Sequence, residues 1–486
     1  MSGMAGADCV IGKRGSHKAI CLRKNTFRGD PKEDFMKKIL KPLCVLMSAA
    51  VCCALICSCA ASGNLIAAPG QHSPVTYEDR QQQSYKTISQ SANAFAADFT
   101  EALYSDYESD GNLAISPVSV YMALALSART AAGETREQIL SALNVTYEQL
   151  QTDFSYLYRA LNYSQEGTTL STTNSVWMQE GVEYIEECIT DLAEKYFCYS
   201  YSTDFAGDNR IANEAIRSFI KDRTNGLIDQ DFELSAETYF ALINTLYLKD
   251  GWYDGGDELP LTDSQYDFTQ TDGAVLSRQL MRGKYNLGRV QRGEHFSTFY
   301  TRTNGGFKLH FVLPDQGYTL RDVFNADAIN FVSGITDYGG YDEAANVNHK
   351  TRCLFPQFEA EYDGDVIQTL NGNFGITDLF SEARCDLSSL IPGGATPAGE
   401  RIVCQRIQHV AKLKVDRKGI EGAAVTVVVG APTSAEPIEE VLYDMVIDRA
   451  FGYVLTDPYG TILFTGVVNN ISVSYTHLTL PTNSRV

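Results

Sequence analysis

The sequence predicts a mixed α+β fold with a large hydrophobic core. Apolar side chains recur at helical spacing from Thr87 to Tyr107, whereas Lys412 to Val415 alternates between polar and apolar residues as a half-buried strand does. Hydrophobic residues make up 44% of the 486 residues and aromatic residues 11%, which is typical of a globular protein. The apolar stripe of the helix consists of Ala92, Phe95, Ala96, Phe99 and Leu103.

The net charge of the chain indicates which classes of binding partner suit it. The chain has 60 acidic and 40 basic residues, a net charge of −20. Because the first 58 residues hold ten Lys/Arg and four Asp/Glu, the remainder is near −26. Such a surface argues against a nucleic-acid partner, whose phosphates need cationic contacts, and is compatible with cationic protein partners.

The sequence contains no pattern of a cofactor, metal or common catalytic site. Seven of the twelve cysteines precede residue 60, and the other five are scattered without CxxC spacing, which favours buried thiols, with one disulfide left open, over a zinc site. The patterns GxSxG, HExxH and GxxxxGK[ST] are absent. We therefore expect a protein without a cofactor or metal that is not an enzyme.

The N-terminal region has the pattern of an export signal. After Met36, three lysines precede an apolar run of fourteen residues from Leu43 to Ile56, which is short for a membrane span and suits a signal peptide over residues 36–58. The run ends in Ile56-Cys57-Ser58-Cys59, which resembles a bacterial lipobox, with Ala54 to Cys57 as a weaker overlapping match. This pattern predicts a lipid anchor on Cys59 and an extracellular location at the cell surface. The alternative is an ordinary secreted protein.

The segments that flank the folded domain have their own composition. Residues 1–35 are interpreted as an upstream extension that need not be native, and residues 59–84 as a polar tether. The folded domain is expected over residues 85–471. Residues 472–486 look like translated adapter sequence and are given no function.

Eight motifs along residues 85–471 together resemble the serpin family. The signature begins with a strand ending in a Ser-Pro pair at Ser116 and continues with GETREQIL. The motifs that follow are NSVWMQE, IANEAIRSFIKDRTNGLI, FALINTLYLKDGW, FVLPD, LFPQFEAEY, GITDLFS and FGYVLTDPYGTILFTGVVN, in this order. The resemblance implies three β-sheets with about nine helices, an exposed reactive-centre loop, and a monomer without a second domain.

In this family, Val415 to Ser434 would be the base of the reactive-centre loop. A target protease cleaves the loop and forms an acyl-enzyme, and the loop then inserts as a new strand into the main sheet. The inward face of that strand must be small or β-branched and uncharged, because burial of a charge costs several kcal/mol. The predicted inward residues are Ile420, Gly422, Ala424, Thr426 and Val428, and the outward ones are Glu421, Ala423, Val425, Val427 and Val429. The hinge comprises Arg417 and Gly419 to Thr426, where Arg417 replaces the usual Glu and Ile420 is bulkier than the usual Thr or Ser.

The cleaved bond is predicted from the family spacing. Fourteen residues beyond Gly419 lies Thr433, which gives Thr433-Ser434 as the reactive bond, with Val429, Ala431 and Ala435 as alternatives. If the family spacing is counted back from Phe451 instead, the bond falls near Glu439. The loop therefore has about six more residues than usual on the C-terminal side of Thr433. The sequence VVVGAPTSA offers only small or β-branched side chains, which favours an elastase-like protease. Three acidic residues, Glu436, Glu439 and Glu440, would favour a cationic protease, or simply form a solvated loop.

A polar cluster beneath the opening of the main sheet is also implied by the resemblance. It comprises Asn112, Ser116, Ser119, Asn244 and His409. Hydrogen bonds in such a cluster hold strands that must separate when the loop inserts. A lone His on an apolar strand is otherwise an ordinary core residue.

Two other functions stay open at this stage. A non-inhibitory serpin could act as a surface binding protein, which Arg417 and the long loop would permit. A cysteine protease could also be the target in place of a serine protease. The sequence does not separate these two classes of target.

Overall fold

The computed structural model describes residues 63–471, apart from 232, 254, 397 and 422–438. These residues form ten α-helices, two short 3-10 helices and 21 strands. The helices are α1 (Tyr77–Gln81), α2 (Gln83–Asp106), α3 (Pro117–Thr130), α4 (Gly133–Leu143), α5 (Tyr147–Ala160), α6 (Glu186–Glu194), α7 (Phe205–Arg223), α8 (Leu320–Val323), α9 (Ala326–Gly334) and α10 (Ile367–Phe374).

The strands range from two to twelve residues in length. They are β1 (Asn64–Ala67), β2 (Leu113–Ile115), β3 (Tyr163–Gln165), β4 (Thr168–Gln179), β5 (Cys198–Thr203), β6 (Phe240–Gly251), β7 (Tyr266–Thr269), β8 (Val275–Arg278), β9 (Met281–Arg282), β10 (Asn286–Leu287), β11 (Gln291–Gly293), β12 (Phe296–Arg302), β13 (Lys308–Pro314), β14 (Tyr341–Asp342), β15 (Val347–Phe355), β16 (Phe358–Asp365), β17 (Gln408–Val415), β18 (Gly419–Ile420), β19 (Glu439–Val446), β20 (Phe451–Thr456) and β21 (Ile462–Val468).

The strands build three sheets and one separate hairpin, which confirms the predicted α+β class with three sheets. The main sheet has the order β1-β5-β4-β6-β18-β17-β16, with β3 paired to β4. A six-stranded sheet has the order β11-β12-β13-β20-β21-β2. In the five-stranded sheet, β15 is the central strand and pairs with β19 in parallel.

Helices α2 and α3 lie in the core. The predicted apolar stripe of α2 is confirmed, since Ala92, Phe95, Ala96, Phe99 and Leu103 are all buried. Helix α3 begins at Pro117, whose fixed φ suits the first turn, and is buried around almost its whole circumference. A helix buried on all sides suits the Ala- and Leu-rich composition of this segment.

The segment predicted as a polar tether packs on the body from residue 63 onward. Strand β1 pairs antiparallel with β5 at the edge of the main sheet. The ring of His72 lies edge-on to Tyr158 and Phe197, with centroid distances of 5.3 and 5.5 Å. Arg159 donates to the carbonyl of Ser73 at 2.8 Å. No described helix is both long and apolar enough to cross a membrane.

Gly466 tests how tightly β21 packs against β2. A Cβ atom at Gly466 would lie 1.9 Å from the carbonyl oxygen of Leu113, so Gly466→Ala must push the two strands apart. We expect this variant to lose roughly 2–4 kcal/mol of unfolding free energy, measured by urea denaturation.

Gly334, at the end of α9, is the control for this substitution. A Cβ atom there meets no atom within 4 Å, and Gly334→Ala should change the unfolding free energy by less than about 1 kcal/mol. Equal losses in the two variants would contradict the packing argument.

Candidate functional site

The main sheet is joined between β6 and β17 only by the short strand β18. Strand β18 is two residues long and pairs on one side with β6, through Gly419 with Gly251 and Ile420 with Asp250. On its other side Ile420 pairs with Val415 of β17. Beyond β18, no ladder joins β6 to β17 in the described part of the sheet. Since adjacent strands lie about 4.8 Å apart, β6 and β17 are roughly 10 Å apart at β18, and β18 fills this width.

The contacts of the hinge residues Gly419, Ile420 and Glu421 account for their side chains. A Cβ atom at Gly419 would lie 2.1 Å from the carbonyl oxygen of Asp250, so only glycine fits there. Ile420 is completely buried in the main core. Glu421 is half-buried, and its N–H donates to the carbonyl of Lys414 at 2.8 Å. The large side chain of Ile420 thus fits into the core at β18.

The rest of the predicted loop lies outside the described residues. This applies to the hinge residues Gly422, Ala423, Ala424, Val425 and Thr426, to the predicted bond at Thr433 and Ser434, and to the alternative positions Val429, Ala431 and Ala435. Cys59, the predicted site of lipidation, also lies outside them.

Arg417, the departure from the family pattern, has a partner in the loop after β6. Its guanidinium forms an ion pair with Glu258 at 2.8 Å and donates to the carbonyl of Leu259 at 3.0 Å. The indole N–H of Trp252 donates to the carbonyl of Asp416 at 2.7 Å. These contacts fix the turn that precedes the hinge, and the sequence did not identify Glu258 because it lies 159 residues away.

Asp250 is a second functional residue that sequence reasoning missed. It accepts hydrogen bonds from the Thr168 hydroxyl at 2.7 Å and from the N–H of Gly305 at 2.7 Å. Burial raises the pKa of this carboxyl group. The contacts fasten the end of β6 on which β18 lies, and no local pattern distinguishes this Asp from an exposed one.

The far end of the loop is anchored by β19. This strand pairs in parallel with β15 from Glu439 onward, so Glu439 and Glu440 lie in a strand. Arg352 of β15 holds Asp444 through two hydrogen bonds of 2.6 and 2.9 Å. Glu440 is paired with Lys350. Seventeen residues, 422–438, therefore connect the two ends of the loop.

Ser116, Ser119 and His409 meet beneath the main sheet. The N–H of Ser116 donates to Nε2 of His409 at 3.1 Å, and the hydroxyls of Ser116 and Ser119 are 2.9 Å apart. This contact joins the start of α3 to β17. Burial lowers the pKa of His409 to about 4, so the ring is neutral and Nε2 can accept.

Asn244 and Asn112, the other two residues of the predicted cluster, do not hydrogen-bond to Ser116, Ser119 or His409 in the described part of the chain. Asn244 donates to the hydroxyl of Thr172 at 2.9 Å and to Oδ1 of Asn174 at 2.8 Å, which ties β6 to β4. Its own Oδ1 is buried without a hydrogen-bond partner in the described structure. Asn112 donates to the carbonyls of Glu359 and Asn470, both at 2.9 Å, beside β16. The five residues of the predicted cluster thus occupy three places.

The described residues offer neither a metal-ligand cluster nor a reactive thiolate. They contain no group of three or more His, Cys, Asp or Glu side chains that could hold a metal ion. Desolvation raises the pKa of all five described thiols, which therefore stay protonated. These thiols are free: Cys188, Cys198, Cys353, Cys385 and Cys404.

The described residues thus form a main sheet whose strands β6 and β17 are joined only through β18, with the segment 422–438 anchored at β18 on one side and at β19 on the other. Comparison with known families identifies the class of protein. The family model described as "Serpin (serine protease inhibitor)" matches residues 90–471, and the chain belongs to the serpin family.

Individual relatives are distant but nearly full-length. The chain is 26% identical over 429 residues to alpha-1-antiproteinase 2 of Equus caballus, which covers 86% of this chain and 94% of that protein. Among solved structures, the thermophilic serpin tengpin in its native state matches with a TM-score of 0.63 and 21% identity, over 83% of this chain and 97% of tengpin. Thyroxine-binding globulin in complex with thyroxine matches with a TM-score of 0.62 and 20% identity, over 80% of this chain and all of that one.

His409 makes the sheet sensitive to acid. Its pKa of about 4 in the folded protein lies below the ordinary 6.5, so the unfolded chain takes up the proton first as the pH falls. Its contribution to stability is therefore complete above pH 6.5 and is lost as the pH falls towards 4, with about 2 kcal/mol lost at pH 5. The measurement is urea denaturation of the wild type and His409→Gln between pH 4.5 and 8.

The comparison of the wild type with His409→Gln isolates the effect of His409. Burial also lowers the pKa of His310, to about 3, but His310 is present in both proteins, so its contribution to the difference in stability cancels. Parallel stability curves for the two proteins across this pH range would show that His409 is not the titrating group.

Proposed function

We propose that this serpin is an exported inhibitor of serine proteases that traps its target by inserting the cleaved loop between β6 and β17. The proposal rests on strand β18. This strand already lies between one end of β6 and one end of β17, and no described ladder joins the rest of these two strands. The protease's serine hydroxyl attacks the carbonyl carbon of Thr433 and forms an ester. The Thr433-Ser434 peptide bond breaks, and the amine of Ser434 leaves with a proton.

Insertion then moves the ester along the sheet. Fourteen residues from Ile420 to Thr433 span about 46 Å as a strand, and β6 alongside is 12 residues long. The acylated protease is carried over this distance, and the pull distorts its active site before water can hydrolyse the ester. The release of free energy comes from pairing the new strand with two existing ones.

The anchor at β19 supports the reactive bond counted from the hinge. The alternative count from Phe451 reaches Glu439, whose backbone is paired with Val347. A peptide bond held in a sheet ladder is not free to enter a protease cleft. Thr433-Ser434 lies five residues before this strand in the sequence, outside the described residues.

The target class follows from the side chains beside the bond. Thr433 and its neighbours are small or β-branched, which suits the shallow pocket of an elastase-like protease. The net charge of −20 would favour a cationic enzyme through long-range attraction, although Glu440 is already paired within the sheet. A cysteine protease would form a thioester at the same carbonyl.

Export and lipidation complete the proposal. The apolar run from Leu43 to Ile56 and the lipobox-like ending at Cys59 support a processed lipoprotein at the cell surface. Mass spectrometry of the mature protein would find a diacylglyceryl group on Cys59. A mature chain with an unmodified N-terminus would leave a secreted protein in its place.

A non-inhibitory binding protein is the second candidate. The same fold occurs in thyroxine-binding globulin, which is known in complex with thyroxine. The fold by itself therefore does not require inhibition. In this case the loop would be cut by a protease without any covalent complex.

Incubation with neutrophil- or pancreatic-type elastase tests the proposed function directly. We expect a complex at the summed mass that survives denaturing electrophoresis, and a released peptide that begins at Ser434. Elastase with a blocked active-site serine is the control and should give neither product. Cleavage without a complex would favour the binding protein, and trapping of a trypsin-like enzyme instead would refute the elastase assignment.

The inward face of the loop gives a second test. Ala424 is predicted to face the core after insertion, so Ala424→Asp should slow insertion at least tenfold, since burial of the charge costs several kcal/mol. The loop would still be cleaved, and the fraction of protease trapped, measured by titration, should fall accordingly. Ala424→Val, which has nearly the same size without the charge, should trap as the wild type does, and equal trapping by both variants would contradict the predicted inward face.

A further inference from the structure

The hydroxyl of Tyr247 connects the loop hinge to the end of a helix. Tyr247 lies in β6, and its hydroxyl donates to a carboxylate oxygen of Glu421 at 3.0 Å. The same hydroxyl accepts from the side-chain amide of Asn225 at 3.2 Å. Because Asn225 supplies a hydrogen, the hydroxyl's own hydrogen is free for Glu421. Burial raises the pKa of Tyr247 to about 12, so this hydrogen is present at neutral pH.

Glu421 is the point at which the chain leaves the sheet. Its φ is +62°, a left-handed conformation that costs a residue other than glycine about 1 kcal/mol. A residue in this conformation cannot continue a strand, whose φ is near −120° to −140°. For the loop to extend β18, Glu421 must rotate to a negative φ.

Asn225 fixes the other end of this contact. It lies two residues beyond the end of α7, has a φ of +51°, and is succeeded by Gly226, whose N–H donates to the carbonyl of Lys221 at 2.7 Å. Phe219 of α7 packs on Trp177 of β4 with ring centroids 5.7 Å apart. The position of the Tyr247 hydroxyl is therefore set by the helix that lies across the main sheet.

We propose that Tyr247 is a positioning residue that holds Glu421 in its left-handed conformation and so sets the rate at which the loop enters the sheet. The inference rests on the proposed inhibitory function. The hydrogen bond to Glu421 offsets the backbone strain and must be released, or move with the carboxylate, as the strand grows. Asn225 orients the hydroxyl and makes the hinge sensitive to the position of α7.

The first test measures loop insertion without a trapped protease. Thermolysin is a metalloprotease and forms no covalent acyl-enzyme, so the full chain cut by excess thermolysin reports insertion alone. Trp252, whose indole contacts the turn at Asp416, provides a fluorescence signal at the hinge. We expect Tyr247→Phe to speed insertion about three- to tenfold, the effect of losing one ordinary hydrogen bond.

Three further variants separate positioning from general loosening. In a Glu421→Ala background, Tyr247→Phe should have no additional effect, because the shared contact is already gone. Glu421→Gln keeps an acceptor for the hydroxyl and should insert within about twofold of the wild type. Tyr184→Phe is the matched control, since the Tyr184 hydroxyl donates to the carbonyls of Gln179 and Tyr239 away from the hinge. It should leave the insertion rate unchanged.

The second test uses the uncleaved protein and does not depend on inhibition. The N–H of Glu421 is bonded to Lys414, and its hydrogen exchange should rise severalfold in Tyr247→Phe but not in Tyr184→Phe. Faster exchange without any protease complex would refute the inhibitory function and leave the hinge contact standing. The inference is overturned if Tyr247→Phe leaves insertion and exchange within twofold of the wild type. It is equally overturned if the variant acts as strongly in the Glu421→Ala background.

Discussion

The arrangement of the main sheet depends on the hydrogen-bonding groups of two strand edges, β6 and β17, which β18 joins over only two residues. Backbone N–H and C=O groups are strong partners, and a ladder that lacks its neighbour is less stable than a complete one. In the described sheet, Gly419, Ile420 and Glu421 bridge the two edges, the last through Lys414 and Tyr247. The segment 422–438 is anchored at this bridge on one side and at β19 on the other.

The two edges are fastened by different side chains, and both reach α3. On one side, His409 ties β17 to the start of α3 through the N–H of Ser116. On the other side, Asn244 ties β6 to β4 through Thr172 and Asn174, and its buried Oδ1 has no hydrogen-bond partner in the described structure. The side-chain amide of Asn244 also donates to the sulfur of Met122 in α3 at 3.8 Å. Helix α3 therefore connects the two edges, and a change in their separation must also change the contacts of this helix.

The sequence predicted features that depend on local pattern and missed those that depend on distant partners. The apolar stripe of α2 and the glycine at 419 could be identified because helical spacing and turn chemistry are local. The partner of Arg417 could not, since Glu258 is an ordinary acidic residue until the chain folds. Strand β1 was equally hidden, because its four residues show no alternation and gain their structure from the edge of β5. The predicted polar cluster divides into three places for the same reason: matching residues to a family pattern does not fix which hydrogen bonds they make.

The length of β19 decides what the uncleaved loop can do. The extra residues counted between the predicted bond and Phe451 extend this strand to Glu439, where Arg352 and Lys350 of β15 hold it by charge. If the intact loop inserted down to residue 430, it would lie about 33 Å from Ile420, and nine residues would remain to return to Glu439, with a reach of about 31 Å. Under the proposed function, insertion beyond the reach of these nine residues requires either the release of β19 from β15 or a cut in the chain. Cleavage before β19 would remove this restraint, because the hinge side of the loop would then be tied only at β18 and Glu421. The anchor would thus keep the sheet incomplete until a protease has acted on the loop.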